Sequence, residues 1–163
     1  MMAAAQFEAH DPQFEARIHA SFARQGAMAL IGADLVGVAP GAVDIALPFR
    51  DDLTQQHGYM HAGVVTAILD SACGYAALSL LPAGTEVLTI EYKVNFVAPA
   101  RGRRVIARGR VMKLGRTITV CAGDAVAESE QGGPERLVAT MLATMIAAPH
   151  RTDGEAVGAS INP

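Results

Sequence analysis

The stretch of sequence that decides the fold is residues 64–80, VVTAILDSACGYAALSL. A turn, Pro82-Ala83-Gly84, follows it and ends the predicted helix. Apolar residues cover almost its whole circumference: Val64, Val65, Ala67, Ile68, Leu69, Ala72, Cys73, Ala76, Ala77 and Leu80. A helix that is apolar nearly all round is buried on most sides. We therefore expect a strongly curved sheet wrapped around this helix, with the helix's small residues allowing close approach.

The segments around this helix supply the strands of that sheet. Val43, Ile45 and Leu47 alternate with more polar or smaller residues, which indicates a strand over 42–49. We predict five more strands, at 27–38, 87–97, 105–112, 117–128 and 137–147, with Gly123 as a candidate bulge. Short turns between them, such as Ala39-Pro40-Gly41, imply antiparallel pairing. The expected class is α+β.

The ends of the chain differ from its centre. Asp11 and Pro12 supply an N-cap and a first-turn proline for a helix over 12–25, which ends at Gly26. Residues 149–163 are polar and contain glycine, as is typical of a loose tail. We divide the chain into an N-terminal helical segment (1–26), one domain (27–148) and a flexible C-terminal tail (149–163).

Composition excludes several classes of protein. The 163 residues are 51% hydrophobic and 18% charged, which excludes a disordered chain. A formal net charge of −3 gives no basic field for nucleic acid, and we find no secretory signal or membrane span. Cys73 and Cys121 sit in apolar surroundings without a spacing motif, so we expect buried free thiols in a reducing compartment. We predict a cytoplasmic protein.

Asp70 is the chemical anomaly of the central helix. A buried carboxylate needs partners, a shifted pKa or a cavity. Asp70 could instead lie on an exposed stripe with Thr66 and Ser71. The preceding loop, residues 55–63, QQHGYMHAG, favours a site, because it packs amides and imidazoles against a helix N-terminus. Free backbone N–H groups there suit an anion or a developing oxyanion.

The residues His61-Ala62-Gly63, followed after six residues by Asp70, resemble the His-Gly-Gly…Asp stretch of hotdog-fold acyl-CoA thioesterases, in particular the phenylacetate-pathway (PaaI-like) type. The resemblance covers residues 30–147, including EYKVNFVAPA at 91–100 and the turn Gly115-Arg116-Thr117. It implies a hotdog fold, with the sheet wrapped around one long helix, and thioester hydrolysis.

The resemblance also implies roles for individual residues. The family's acidic residue falls on Asp70, its oxyanion-polarising backbone amide on Ala62 and its side-chain amide on Gln55, with Gln56 as a substitute. The Ser or Thr on the strand opposite the helix falls on Thr89. We predict substrate-binding roles for His57, His61, Gly63, Asn95, Gly115, Arg116 and Thr117.

Helix geometry makes a prediction about assembly. Ala62 and Asp70 are eight residues apart on one helix, hence about 12 Å along its axis and about 80° around it. One thioester carbonyl cannot lie within about 3 Å of both. If both act on one substrate, they come from two chains across a two-fold axis. We therefore predict a homodimer, or a dimer of dimers, with sites at the subunit interface; the resemblance implies the same.

Other chemistries have weaker signals. His57 and His61 lack a third ligand at metal-binding spacing, so we predict no metal. Cys73 has no evident base, and no Gly-x-Ser-x-Gly elbow exists. The chain has one concentration of basic residues, at Arg101, Arg103, Arg104, Arg108, Arg110 and Arg116. We interpret most of them as solvated, but predict that Arg116 holds a CoA phosphate.

The predicted function is hydrolysis of an acyl-CoA thioester to free acid and CoA, with Asp70 as general base or nucleophile. No cofactor is required. Two alternatives stay open. A hotdog enoyl-CoA hydratase or dehydratase would need His57 or His61 to meet Asp70, and a non-catalytic dimer would only bind acyl-CoA.

Overall fold

A computed structural model describes residues 7–130 and 132–149. Two short helices come first, α1 (Phe14–Phe22) and α2 (Gly26–Ile31), and the strands β1 (Asp34–Ala39) and β2 (Ala42–Pro48) follow. A 3₁₀ turn (Asp51–Leu53) leads into the long helix α3 (Ala62–Leu78). The remaining elements are four strands: β3 (Thr85–Phe96), β4 (Arg104–Lys113), β5 (Ile118–Glu128) and β6 (Arg136–Pro149).

The six strands form one antiparallel sheet in the order β1-β2-β4-β5-β6-β3. The predicted turn at 39–41 joins β1 and β2 as a hairpin. β3 follows α3 in the chain but lies at the far edge, where it pairs with β6 from Thr85↔Pro149 to Phe96↔Ala139. A bulge between Thr89 and Glu91 interrupts this pairing.

Helix α3 is packed against the sheet, as its apolar circumference predicts. Seven of its side chains are fully buried: Val65, Ile68, Leu69, Ala72, Cys73, Ala76 and Ala77. Two opposed glycines of the sheet, Gly109 and Gly123, let the helix approach. A Cβ at Gly109 would lie 2.3 Å from the carbonyl carbon of Ala72, and one at Gly123 would lie 2.9 Å from Cys73 Sγ. The wrapped sheet and long helix confirm the α+β hotdog architecture.

The prediction of a bulge at Gly123 is wrong. Gly123 pairs regularly with Gly109 on one side and Met141 on the other. The irregularities of β5 lie elsewhere, between Ala125 and Val126 and opposite Val111–Lys113. Gly123 is required for space beneath α3 and not for a kink in the strand.

The prediction of a strand over 27–38 is wrong in its first half, because residues 26–31 form α2. This helix is six residues long, too short to show a helical period, and it ends at Gly32 in the left-handed region with φ 73°. The Gly32 and Ala33 amides donate to the Met28–Ala29 carbonyls, which closes the helix end.

The N-terminal helix is shorter than predicted and packs on the end of α3. α1 covers nine residues. Asp11 lies before it, and the Asp11 side chain accepts a hydrogen bond from the Gln13 backbone amide at 2.9 Å. Ile18 is fully buried. The Arg17 guanidinium pairs with Asp11 and donates to the carbonyls of Leu78, Leu81, Pro82 and Thr85 at 2.7–3.3 Å. α1 is thereby fixed against the C-terminal end of α3.

Two further sequence predictions concern the chain as a whole. The predicted tail lies outside the described residues from position 150 onward, and the division into three segments stays a prediction. In the described part of the chain, no helix is long and apolar enough to cross a membrane.

Candidate active site

The Asp70 carboxylate lies midway along α3 and is hydrogen-bonded to a residue of the sheet. Its Oδ1 accepts a hydrogen bond from the Thr89 hydroxyl on β3 at 2.7 Å. Thr89 is the last regularly paired residue before the bulge in β3, and its Oγ1 also lies 3.4 Å from Met145 Sδ. Within the described chain, no side chain hydrogen-bonds to Asp70 Oδ2, so one carboxylate oxygen is fixed and the other is available to water or substrate.

A pocket of about 290 Å³ opens beside Asp70. Three parts of the chain line it with mainly polar groups: Ser21 of α1 with Gln25, which lies between α1 and α2; Ser71, Gly74, Tyr75 and Leu78 of α3; and residues 86–89 of β3. The Ser71 hydroxyl donates to Gln25 Oε1 at 3.3 Å, and Ser21 Oγ lies 3.3 Å from the Tyr75 hydroxyl. Burial raises the pKa of Tyr75, so its hydroxyl stays neutral in the physiological range.

Helix α3 begins at Ala62, about two turns before Asp70. His61 is its N-cap, and the His61 Nδ1 accepts from the Gly63 amide at 2.9 Å. The amides of Val64 and Val65 donate to the His61 carbonyl at 3.0 and 3.2 Å. In the part of the chain that the structure describes, the Ala62 amide has no protein acceptor.

The loop before α3 is closed by its own backbone hydrogen bonds. The Gln55 backbone amide donates to the Tyr59 carbonyl at 2.8 Å, and the Gly58 amide donates to the Gln55 backbone carbonyl at 3.0 Å. The Gln55 side chain accepts from the His57 amide through Oε1, which leaves its Nε2 as a donor. Gln56 is exposed, with Nε2 3.3 Å from the His57 ring.

Gln55 and Ala62 together line a second pocket of about 400 Å³. Its walls are mostly apolar: Tyr59, Met60, Val65 and the strand end from Phe96 to Ala100. Asp70 and Thr89 are not among its lining residues, and neither is Gln56. Within one chain, the candidate residues therefore form two pairs, Asp70 with Thr89 and Gln55 with Ala62.

The other predicted substrate contacts line neither pocket. Asn95 accepts from the Lys93 ammonium at 2.6 Å and lies opposite Thr140. The turn of Gly115, Arg116 and Thr117 lies at the end of the sheet where Ile118, Ile146 and Leu88 are in register, and of these three residues only Leu88 lines the Asp70 pocket. A Cβ at Gly115 would lie 2.3 Å from the Ile118 carbonyl oxygen, so this glycine is required by the turn.

The alternatives to a carboxylate site have little structural support. Cys73 is fully buried, and burial raises the pKa of its thiol far above the usual range. Burial also raises the pKa of Cys121 to about 12, so neither thiol supplies a thiolate nucleophile at neutral pH. Residues 7–130 and 132–149 contain no cluster of three or more His, Cys, Asp or Glu that could hold a metal ion.

Most of the basic residues have structural partners. Arg103 and Arg104 both pair with Glu128, Arg108 pairs with Glu135, and Arg110 pairs with Asp124. Arg116 is exposed and makes no ion pair within the described chain.

Sequence reasoning missed most of the wall around Asp70. Gly74 and Leu78 follow Asp70 at intervals of four on α3, so helical spacing alone could have found them. Ser21 lies in α1 and Gln25 lies between α1 and α2, and the docking of this part of the chain on α3 leaves no local signal in the sequence. The capping role of His61 was also missed, although its position directly before the helix favours it.

Comparison with known proteins gives consistent matches. Residues 57–133 match the model of the Thioesterase superfamily. The crystal structure of a thioesterase family protein from Silicibacter pomeroyi is 48% identical, with a TM-score of 0.80 over 83% of this chain and 98% of that one.

Two more distant structures share the fold. The PaaI protein from the phenylacetic acid degradation operon of Escherichia coli superposes with a TM-score of 0.74 at 16% identity, over 85% of this chain and 95% of that one. A variant of a Staphylococcus aureus thioesterase gives 0.68 at 22% identity, over 75% and 98%.

Proposed function

Because the chain belongs to the thioesterase superfamily, a family of hydrolases, we propose that it hydrolyses acyl-CoA thioesters to the free acid and CoA. The observation that carries this proposal is the Asp70 carboxylate. It lies in an otherwise apolar helix, is oriented by Thr89 at 2.7 Å, and opens onto a pocket. A carboxylate in such a helix costs free energy unless it is hydrogen-bonded or reaches solvent, so its presence here favours a chemical role.

The geometry supports an active site formed by residues of two chains. The thioester oxygen would accept hydrogen bonds from the Ala62 amide and from Gln55 Nε2 of one chain. Asp70 of the other chain would face the carbonyl carbon. This pairing satisfies the helix geometry, because Ala62 and Asp70 of one chain line separate pockets.

Two routes are compatible with this arrangement. As a general base, Asp70 takes a proton from water while the water oxygen attacks the carbonyl carbon, and the thiolate leaves and is protonated. As a nucleophile, Asp70 forms a mixed anhydride with release of the thiolate, and water then hydrolyses the anhydride. Backbone and side-chain donors stabilise the oxyanion in both routes. Neither route needs a metal or a redox cofactor.

The edge strand β3 supports the proposed dimer. It pairs with β6 on one side and with no other strand of the described chain on the other. Its exposed apolar side chains include Ile90 (53%), Tyr92 (48%) and Phe96 (46%). A twelve-residue edge strand with exposed apolar side chains among its polar ones is a template for pairing with a second chain. Pairing of two β3 edges about a two-fold axis would bring the two α3 helices together in antiparallel order; a dimer of dimers is compatible with this.

The choice of Gln55 over Gln56 rests on two observations. Gln55 lines the pocket with Ala62, whereas Gln56 does not. In the Staphylococcus aureus thioesterase, a glutamine and a glutamate 15 positions apart were each replaced by alanine. Gln55 and Asp70 have the same separation. We expect Gln55→Ala to lower kcat by about 10²–10³, as for loss of one oxyanion donor. Loss of activity in Gln56→Ala with a silent Gln55→Ala would contradict this register.

The proposed function is tested by a panel of CoA thioesters that includes phenylacetyl-CoA, short-chain and long-chain acyl groups. Release of free thiol is expected, and Asp70→Asn should lower kcat by at least about 10² while the protein stays folded. A change in enoyl absorbance without thiol release would indicate a hydratase instead. Binding without turnover would indicate an acyl-CoA-binding protein. A cytoplasmic location, with neither a nucleic-acid nor a membrane partner, stays a prediction.

A further inference from the structure

The amides at the start of α3 are satisfied unequally, and His61 is responsible for the difference. The first four amides of a helix, from the N-cap onward, have no partner within the helix. Here the His61 amide donates to the Leu53 carbonyl at 2.9 Å, the Gly63 amide to His61 Nδ1 at 2.9 Å, and the Val64 amide to the His61 carbonyl at 3.0 Å. In the described chain, only the Ala62 amide among these four has no acceptor.

Gly63 provides the space for this arrangement. A Cβ at Gly63 would lie 3.1 Å from His61 Nδ1 and 3.4 Å from Cε1. A Cβ at this position would therefore require the imidazole to shift by a few tenths of an ångström relative to the amide that it caps. Nδ1 accepts this hydrogen bond only in the tautomer that carries its ring proton on Nε2. His61 and Gly63 thus act as a matched pair.

We propose that His61 is a positioning residue, which limits the free donors at the start of α3 to the single amide of Ala62. The inference rests on the proposed function, in which the Ala62 amide binds the thioester oxygen. It gives His61 and Gly63 a role different from the direct substrate contact predicted from the sequence. With the Gly63 amide occupied, the oxygen meets one backbone donor at one place, and Gln55 Nε2 approaches the same pocket from the loop.

The pair His61→Ala and His61→Asn tests this role. Asparagine is a good N-cap and keeps an acceptor for the Gly63 amide, whereas alanine does not. We expect His61→Ala to lower kcat about 10-fold with KM changed less than about twofold, because the Ala62 donor remains but loses its fixed position; outright loss of a donor costs about 10²–10³. His61→Asn should restore kcat to within about threefold of the parent.

Two further variants separate capping from other effects. His61→Asp also caps the helix but places a negative charge beside the developing oxyanion, so it should unfold at the same temperature as His61→Asn and have a lower kcat. Gly63→Ala should lower kcat less than His61→Ala does, because the imidazole has to shift but keeps its acceptor nitrogen, although alanine favours the helix more than glycine. A kcat of His61→Asn as low as that of His61→Ala would overturn the proposal, since it would mean that the ring itself contacts the substrate. Parent-like kcat in His61→Ala would overturn it too.

Hydrogen exchange of the Gly63 amide, followed by NMR without substrate, tests the cap independently of the reaction. Exchange should be faster in His61→Ala than in the parent and near the parent rate in His61→Asn. Unchanged exchange in His61→Ala would refute the cap even if the protein is an active thioesterase. If the parent releases no thiol from any CoA thioester while the exchange pattern holds, the proposed function fails and the cap stands.

Discussion

Replacement of Thr89 by valine removes one hydrogen bond and little else. Valine has nearly the same shape as threonine and a high strand propensity, and Thr89 lies exposed on β3. The change deletes the 2.7 Å hydrogen bond from the Thr89 hydroxyl to Asp70 Oδ1 and the contact of that hydroxyl with Met145 Sδ. Thr89→Ser is the matched control, because serine retains the hydroxyl.

The expected magnitude follows from the type of hydrogen bond and its exposure. Hydrogen bonds to charged groups contribute about 1.5–3 kcal/mol. Asp70 is half-buried and Thr89 exposed, so we take the lower end, about 1.5 kcal/mol. If that energy orients the carboxylate for reaction, its loss lowers kcat about 10-fold. Thr89→Ser should retain most of the activity, and the unfolding temperature should change little in either variant.

A double-mutant cycle with Asp70→Asn makes this prediction specific. If Thr89 acts only by orienting Asp70, Thr89→Val has no further effect in the Asp70→Asn background. The assay is release of free thiol from a saturating CoA thioester. Two results would refute the reasoning: kcat of Thr89→Val within twofold of the parent, or an equal loss from Thr89→Val in both backgrounds.

Three other predictions concern the ligand, the fold and acid stability. Arg116→Ala should raise KM for CoA thioesters more than it lowers kcat and leave hydrolysis of a short thioester without the nucleotide unchanged; equal losses on both would indicate a structural role. Gly109→Ala should destabilise the protein by about 3 kcal/mol or more in denaturant titrations, since the new Cβ would lie 2.3 Å from the backbone of α3, whereas Gly74→Ala meets nothing within 4 Å and should not destabilise it. Hydrogen bonds from Arg104 and then Arg103 lower the pKa of Glu128 from 4.5 to about 2, so these bonds stabilise the fold above pH 4.5 and cease to do so as the pH falls towards 2. Glu128→Gln should flatten the pH dependence of the free energy of unfolding in this range, and an unchanged pH dependence would contradict the assignment.

The central elements could be predicted from the sequence because their signals are local and repeated. The helix expected at 64–80 is observed at Ala62–Leu78, and the strand expected at 87–97 at Thr85–Phe96. Both have many residues in one pattern, so an error of two residues at an end does not change the element. The six residues of α2 have too few positions for a period, and only the capping Gly32 marked its end.

Features that depend on distant parts of the chain could not be predicted. The bulges of the sheet depend on how two strands align, so Gly123 gave no reliable signal for their positions. The offsets among Gln55, Ala62 and Asp70 lie within one loop and one helix, and the sequence contains them directly. The contact of Gln25 with Ser71 instead depends on how the chain from α1 to α2 lies on α3. Arg17 of α1 fixes that placement through carbonyls more than sixty residues away.

The central claim is that each active site takes Asp70 from one chain and the Gln55–Ala62 pair from another. It is tested most directly by mixing two inactive variants, Asp70→Asn and Gln55→Ala, unfolding and refolding them together, and measuring thiol release, with light scattering to establish the assembly. In a mixed dimer, one active site contains both substitutions and the other active site contains neither. Random pairing makes half of the dimers mixed, so the mixture should recover about a quarter of the parent activity. Activity no higher than the average of the two variants alone, or an active monomer, would contradict the account.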